Sequence, residues 1–151
     1  FYRTSISAIR AAGARALLIG IGATPDPLTS PHESDVLAIP FAPYSHIFPR
    51  CAAVIHHGGI GTAAQCLRYG VPSLVVPWGV DQFYTGGRLI NLDAGAILLG
   101  RRYTIERATY TLRTLLDDPH YAQATHALSA TLAHEDGVTA LCDALESHML
   151  A

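Results

Sequence analysis

The chain has 151 residues, 50% of them hydrophobic, and a formal net charge of −2. A single domain of that length buries roughly 68 to 70% of its unfolded surface, so a core can form without disulfide or metal staples. The near-neutral charge without a basic run excludes the electrostatic footprint of a nucleic-acid binder, and no apolar run reaches the ~18 residues of a membrane span.

In chain order, apolar spacing predicts a helix over Ser5 to Ala12, with Ile6 and Ile9 on one face and Gly13 as its stop, and then a strand over Ala16 to Ile19. Gly20 to Asp35 is rich in Gly, Pro, Thr and Ser and reads as a loop. Asp35 to Ile39 is the next short strand. Pro40 and Pro43 hold Phe41 to Tyr44 extended, a helical turn runs around His46 to Arg50, and Ala52 to Ile55 forms a third strand.

A helix from about Gly61 to Tyr69 stops at Gly70, and Ser73 to Val76 is an uninterrupted apolar strand of the kind found inside a parallel sheet. A helix over Gln82 to about Asn91 and a last strand over Ala96 to Leu99 follow. The remainder reads as three helices, Thr104 to Leu116, His120 to Leu132 and Val138 to Met149, broken at Pro119 and Gly137. Strands alternating with helices give an α/β fold, a doubly wound parallel sheet of Rossmann-like type, with C-terminal helices.

Two segments carry the chemistry. In His56-His57-Gly58-Gly59-Ile60-Gly61-Thr62 a strand runs through a glycine turn into a helix. Gly58, Gly59 and Gly61 permit close backbone approach, and the helix start supplies unpaired N–H donors, so the expected guest is a phosphate. Thr62 adds a hydroxyl, and His57 a hydrogen bond, or a cation if its pKa is raised. No Lys follows the glycines, so this is not a Walker A loop, and the spacing is not G-x-G-x-x-G. Adjacent strand residues point to opposite faces, which argues against a zinc site built from His56, His57 and a cysteine and leaves His56 away from the phosphates.

The second segment is the turn Pro77-Trp78-Gly79-Val80 followed by Asp81-Gln82. A carboxylate beside an amide suits the vicinal hydroxyls of a sugar, although Asp81 can equally be a helix N-cap. Phe41 is placed either to stack on a flat base or to fill the core.

These residues resemble a family. His57-x-Gly59-x-x-Thr62-x-x-Gln65, then Gly70-Val71-Pro72, Pro77 and Asp81-Gln82, are similar to the nucleotide-sugar signature of the family 1 glycosyltransferases, the UDP-glycosyltransferases of the GT-B fold. Phe48 to Gly59 is especially similar to the sterol glucosyltransferase and bacterial antibiotic or rhamnosyl transferase branch. The resemblance implies His57, Gly59 and Thr62 on the diphosphate, in the turn that Gly58 and Gly61 keep open, and Gln65 near the ribose hydroxyls. It further implies Asp81 and Gln82 on the sugar, Trp78 on the same turn, and Phe41 where plant members stack a Trp on uracil. Gln65 stands where plant members have Glu, and Phe41 to His57 is two residues shorter than the plant segment.

The resemblance also implies that residues 1–151 are a single donor-binding domain, one half of a GT-B fold. The acceptor domain that supplies the catalytic base, and the first strand of this domain, are then missing, and no residue here takes a catalytic role. The start at Phe1, without Met or a signal layout, fits a fragment. The implied reaction is transfer of a hexosyl group from a UDP- or dTDP-sugar to a lipid or small-molecule hydroxyl. Alternatives are a non-catalytic donor-binding subunit of a split transferase, a nucleotide-sugar epimerase of the same fold, and a non-catalytic remnant. No metal or resident cofactor is expected. The three cysteines, Cys51, Cys66 and Cys142, are an odd set without C-x-x-C spacing and point to a cytoplasmic setting.

Overall fold

The computed structural model describes residues 1–20 and 35–149. The sequence-predicted loop from Gly20 to Asp35 lies mostly outside the described residues. The elements are α1 (Tyr2–Ala11), β1 (Ala16–Ile19), β2 (Val36–Ile39), α2 (Tyr44–Ile47), β3 (Val54–His56), α3 (Ile60–Arg68), β4 (Ser73–Val75), α4 (Val80–Asn91), β5 (Gly95–Ile97), α5 (Ile105–Asp117), α6 (Pro119–Leu132) and α7 (Gly137–Met149). Short 3-10 turns cover Phe48–Arg50 and Gly100–Arg102.

All strand pairs are parallel. β1 pairs with β2, and β3, β4 and β5 pair in that order, with Leu74 of β4 level with Ile55 and Ala96. Leu74 faces one layer of helices, packing with Ala8 of α1 and Ala108, Leu112 and Leu115 of α5. Its neighbour Val75 faces the other, with Ala63 of α3 and Leu89 of α4. Alternation along one buried strand therefore covers the sheet on both faces, which is the doubly wound arrangement.

Among the described residues the two groups of strands are not paired to each other, and β1 and β3 each have one edge without a strand partner. They are joined through helices. α1 packs under β1 through Ile6, Ala16 and Leu18, and it is tied to α5 by Arg113 Nη2 donating to the Ala11 carbonyl at 2.9 Å. Ser5 Oγ and the Tyr103 hydroxyl add a hydrogen bond of 2.7 Å between α1 and the segment before α5.

Many boundaries move from the sequence reading by a residue or more; β5, read as Ala96 to Leu99, spans Gly95–Ile97. α1 begins at Tyr2 and not Ser5, because Phe1 stacks on Tyr103 and gives the first turn a tertiary anchor that helix periodicity does not report. β3 begins at Val54 and not Ala52, because Cys51 still closes the preceding 3-10 turn by donating to the Phe48 carbonyl, and ladder bonding starts where Val54 donates to Pro72. α2 begins at Tyr44, whose ring stacks on Phe48 at 4.4 Å. α4 begins at Val80, two residues before Gln82.

Candidate functional site

The carboxyl ends of the parallel strands place both chemistry-bearing segments on one side of the sheet, where ligands bind in open α/β folds. At the end of β3 the chain turns through Gly58 and Gly59 into α3, with Gly59 as the N-cap. Gly58 has φ +97°, and a Cβ on it would stand 2.8 Å from Val75 Cγ1 and 3.0 Å from the Gln82 carbonyl oxygen. The first turn of α4 is thus packed directly on the glycine turn. Sequence spacing predicts that the two segments meet, and this contact is where they do.

His57 is exposed and lies over the turn, its Nε2 3.0 Å from where a Gly59 Cβ would be. Ala63 N–H donates to the Gly59 carbonyl, so the N–H groups of Ile60, Gly61 and Thr62 are the open donors of the first turn of α3. A Cβ at Gly61 would meet nothing within 4 Å, so the side on which a guest must approach is open. Thr62 and Gln65, three residues apart on α3, are half-buried, and their side chains make no hydrogen bond within the described residues. The arrangement offers a cluster of N–H donors, the positive end of a helix dipole, a hydroxyl and an imidazole, all suited to a dianionic guest.

At the second turn, Gln82 Oε1 accepts from Trp78 N–H at 2.7 Å and from Gly79 N–H at 2.9 Å. Gly79 is the N-cap of α4, and Gln82 supplies the one half of a capping box open to a glycine cap, its side chain accepting the Gly79 N–H. The alternative of Asp81 as N-cap is thereby corrected: it is the second helical residue, exposed, and its carboxylate makes no hydrogen bond within the described residues. With Oε1 held by two backbone donors, the side-chain NH2 of Gln82 is left without a partner among the described residues. Trp78 is 73% exposed on the same turn.

Phe41 sits apart from both turns. It is 77% exposed and lines a cleft of about 450 Å³ at the carboxyl ends of β1 and β2, bounded by Ile19, Gly20, Pro40 and Tyr44. Its exposure excludes the core alternative. Sequence reasoning passed over Tyr44 as extended chain; the Tyr44 and Phe48 pair at helical spacing was the available signal.

Residues 14–147 match the family described as erythromycin biosynthesis protein CIII-like, C-terminal domain. The chain belongs to that family. Among its relatives, O-mycaminosyltylonolide 6-deoxyallosyltransferase of Streptomyces fradiae is 36% identical over 145 residues, covering 94% of this chain and 32% of its own length. Sterol 3-beta-glucosyltransferase UGT80B1 of Arabidopsis thaliana is 34% identical over 116 residues, covering 76% of this chain and 19% of its own. The chain thus spans a third or less of the length of these relatives. Among solved structures, a spinosyn rhamnosyltransferase complexed with thymidine diphosphate superposes with a TM-score of 0.80 at 28% identity, covering 95% of this chain and 40% of that one. The family's members and structural neighbours are glycosyltransferases of the GT-B fold, and the α/β half-domain described here matches their C-terminal domain.

Proposed function

We propose that this chain is the donor-binding half of a glycosyltransferase that moves a hexosyl group from a UDP- or dTDP-sugar to a lipid or small-molecule hydroxyl. The observation that carries the reading is the packing of Gln82, in the first turn of α4, on the Gly58 turn, which brings the segment holding Asp81 and Gln82 to the glycine turn that opens α3. A diphosphate on the α3 donors and His57 then has its sugar next to Asp81 and the Gln82 amide, with Thr62 and Gln65 alongside and the base toward Phe41.

The chemical contribution of this half is electrostatic. As the glycosidic bond breaks, negative charge builds on the leaving diphosphate, and fixed N–H dipoles with His57 stabilise it without reorganising. The base that deprotonates the acceptor belongs to an acceptor domain outside residues 1–151, and a strand from the longer chain lies between β1 and β3. We also place the protein in the cytoplasm, where its three free cysteines stay reduced; no helix among the described residues is long and apolar enough to cross a membrane.

Calorimetry with dTDP, UDP, ADP and GDP tests donor binding, with the pyrimidine nucleotides expected to bind. Glycosyl transfer by residues 1–151 alone would overturn the assignment of the base to another domain.

A further inference from the structure

His56 ends β3 on the face of the sheet that carries α3, and its side chain is only 6% exposed. Its Nδ1 accepts the N–H of Gly58 at 3.1 Å, a bond buried within the protein. Gly58 is the residue at φ +97°, wedged against Val75 and the Gln82 carbonyl. Its N–H therefore points back into the protein, and the outward donors are left to the start of α3.

We propose that His56 is a positioning residue for the phosphate turn: its neutral imidazole, accepting at Nδ1, holds Gly58 in the left-handed conformation that aims the α3 donors at a diphosphate. This rests on the reading of the turn as a diphosphate site. The imidazole accepts at Nδ1 only when that nitrogen carries no proton, so the ring proton resides on Nε2. Nε2 is buried and meets no acceptor among the described residues, so there the Gly58 bond selects the tautomer. A second proton would set two donors, Nδ1–H and Gly58 N–H, against each other. Burial opposes that protonation, with the neighbouring charge of His57 adding to it, and brings the His56 pKa down to about 4. The adjacent histidines thus divide the work: His57 faces the guest from the exposed side, and His56 shapes the backbone from inside.

The test uses the intact protein labelled with nitrogen-15. The His56 ring should show an unprotonated Nδ1 and a protonated Nε2 from pH 5.5 to 8, and the Gly58 amide should exchange slowly. His56→Asn places a carbonyl oxygen where Nδ1 stood and should keep both the slow Gly58 exchange and dTDP affinity. His56→Ala and His56→Gln remove the acceptor at that place and should speed Gly58 exchange and weaken dTDP each by about tenfold, the ratio carried by one net hydrogen bond. A protonated Nδ1 in the unaltered protein, or Gly58 exchange unchanged in His56→Ala, would overturn the proposal. If the variants do not fold, the ring nitrogens of the unaltered protein still decide it. If the unaltered protein binds neither dTDP nor UDP, the nucleotide reading falls, while the tautomer and the Gly58 amide continue to judge the brace.

Discussion

His57 lies exposed over Gly59, and its replacement by Ala is expected to cost on the order of 1.5 to 3 kcal/mol of nucleotide affinity, the range for a hydrogen bond to a charged group. Folding stability and Gly58 exchange should stay as they were, which separates His57 from His56; titration calorimetry beside amide exchange reads the difference. Asp81 and Gln82 separate in another way. Asp81→Ala removes no cap, so stability should change by less than about 0.5 kcal/mol while binding of a UDP-sugar weakens and binding of UDP does not. Gln82→Ala frees two N–H groups at the start of α4 and should lower stability by about 1 kcal/mol, the usual worth of a cap. Thermal unfolding of both variants, with UDP and UDP-glucose titrated in parallel, checks the pair of expectations. Equal losses for the two ligands in Asp81→Ala would reject its contact with sugar.

Among the elements, α3 offers the sharpest discrimination between folding and binding. Gly61 lies inside the helix and has nothing within 4 Å of its would-be Cβ. Gly61→Ala should therefore stabilise the protein by up to about 1 kcal/mol through helix propensity, yet weaken dTDP binding, because the new methyl stands on the face a phosphate must approach. A variant that is both more stable and unaltered in affinity would move the phosphate elsewhere. Gly95 of β5 is the opposite case, since a Cβ there would overlap the Ser73 carbonyl of the paired strand. Gly95→Ala should cost about 1 to 3 kcal/mol by forcing β4 and β5 apart, measurable as a lower denaturation midpoint.

For the whole molecule, His56 links the turn to acid stability. Its pKa falls from the ordinary 6.5 to about 4 in the folded protein, so between those values the unfolded chain binds a proton that the native one does not. Stability is then fully present above pH 6.5 and is lost as pH falls through 4, by up to about 3 kcal/mol from this group. His56→Asn should flatten that part of the profile, and urea unfolding at pH 7 and pH 4.5 gives the comparison. The edges of β1 and β3 left without a partner among the described residues set a second global expectation, because unpaired ladder groups are a site for strand addition. If a strand of the longer chain lies there, amides along β1 and β3 should exchange more slowly in that chain than in residues 1–151. Equal exchange would leave the gap without an occupant.

Sequence alone determined the order and type of the elements, since apolar periodicity and Gly or Pro punctuation are local properties: α3 ends before Gly70, β4 carries the apolar pair Leu74-Val75, and α6 and α7 open at Pro119 and Gly137. It also named the two chemistry-bearing turns, because glycines before a helix and Asp81-Gln82 after a strand are short-range patterns. Tertiary structure alone decided what each polar group is committed to. Gln82 and not Asp81 serves the α4 cap, Phe41 is exposed in a cleft apart from both turns, and His56 spends its acceptor on Gly58. The physical reason is that commitment of a donor or acceptor depends on distances of about 3 Å between groups, and whether those groups are wet or buried follows from how strands and helices pack, which residue order does not encode locally.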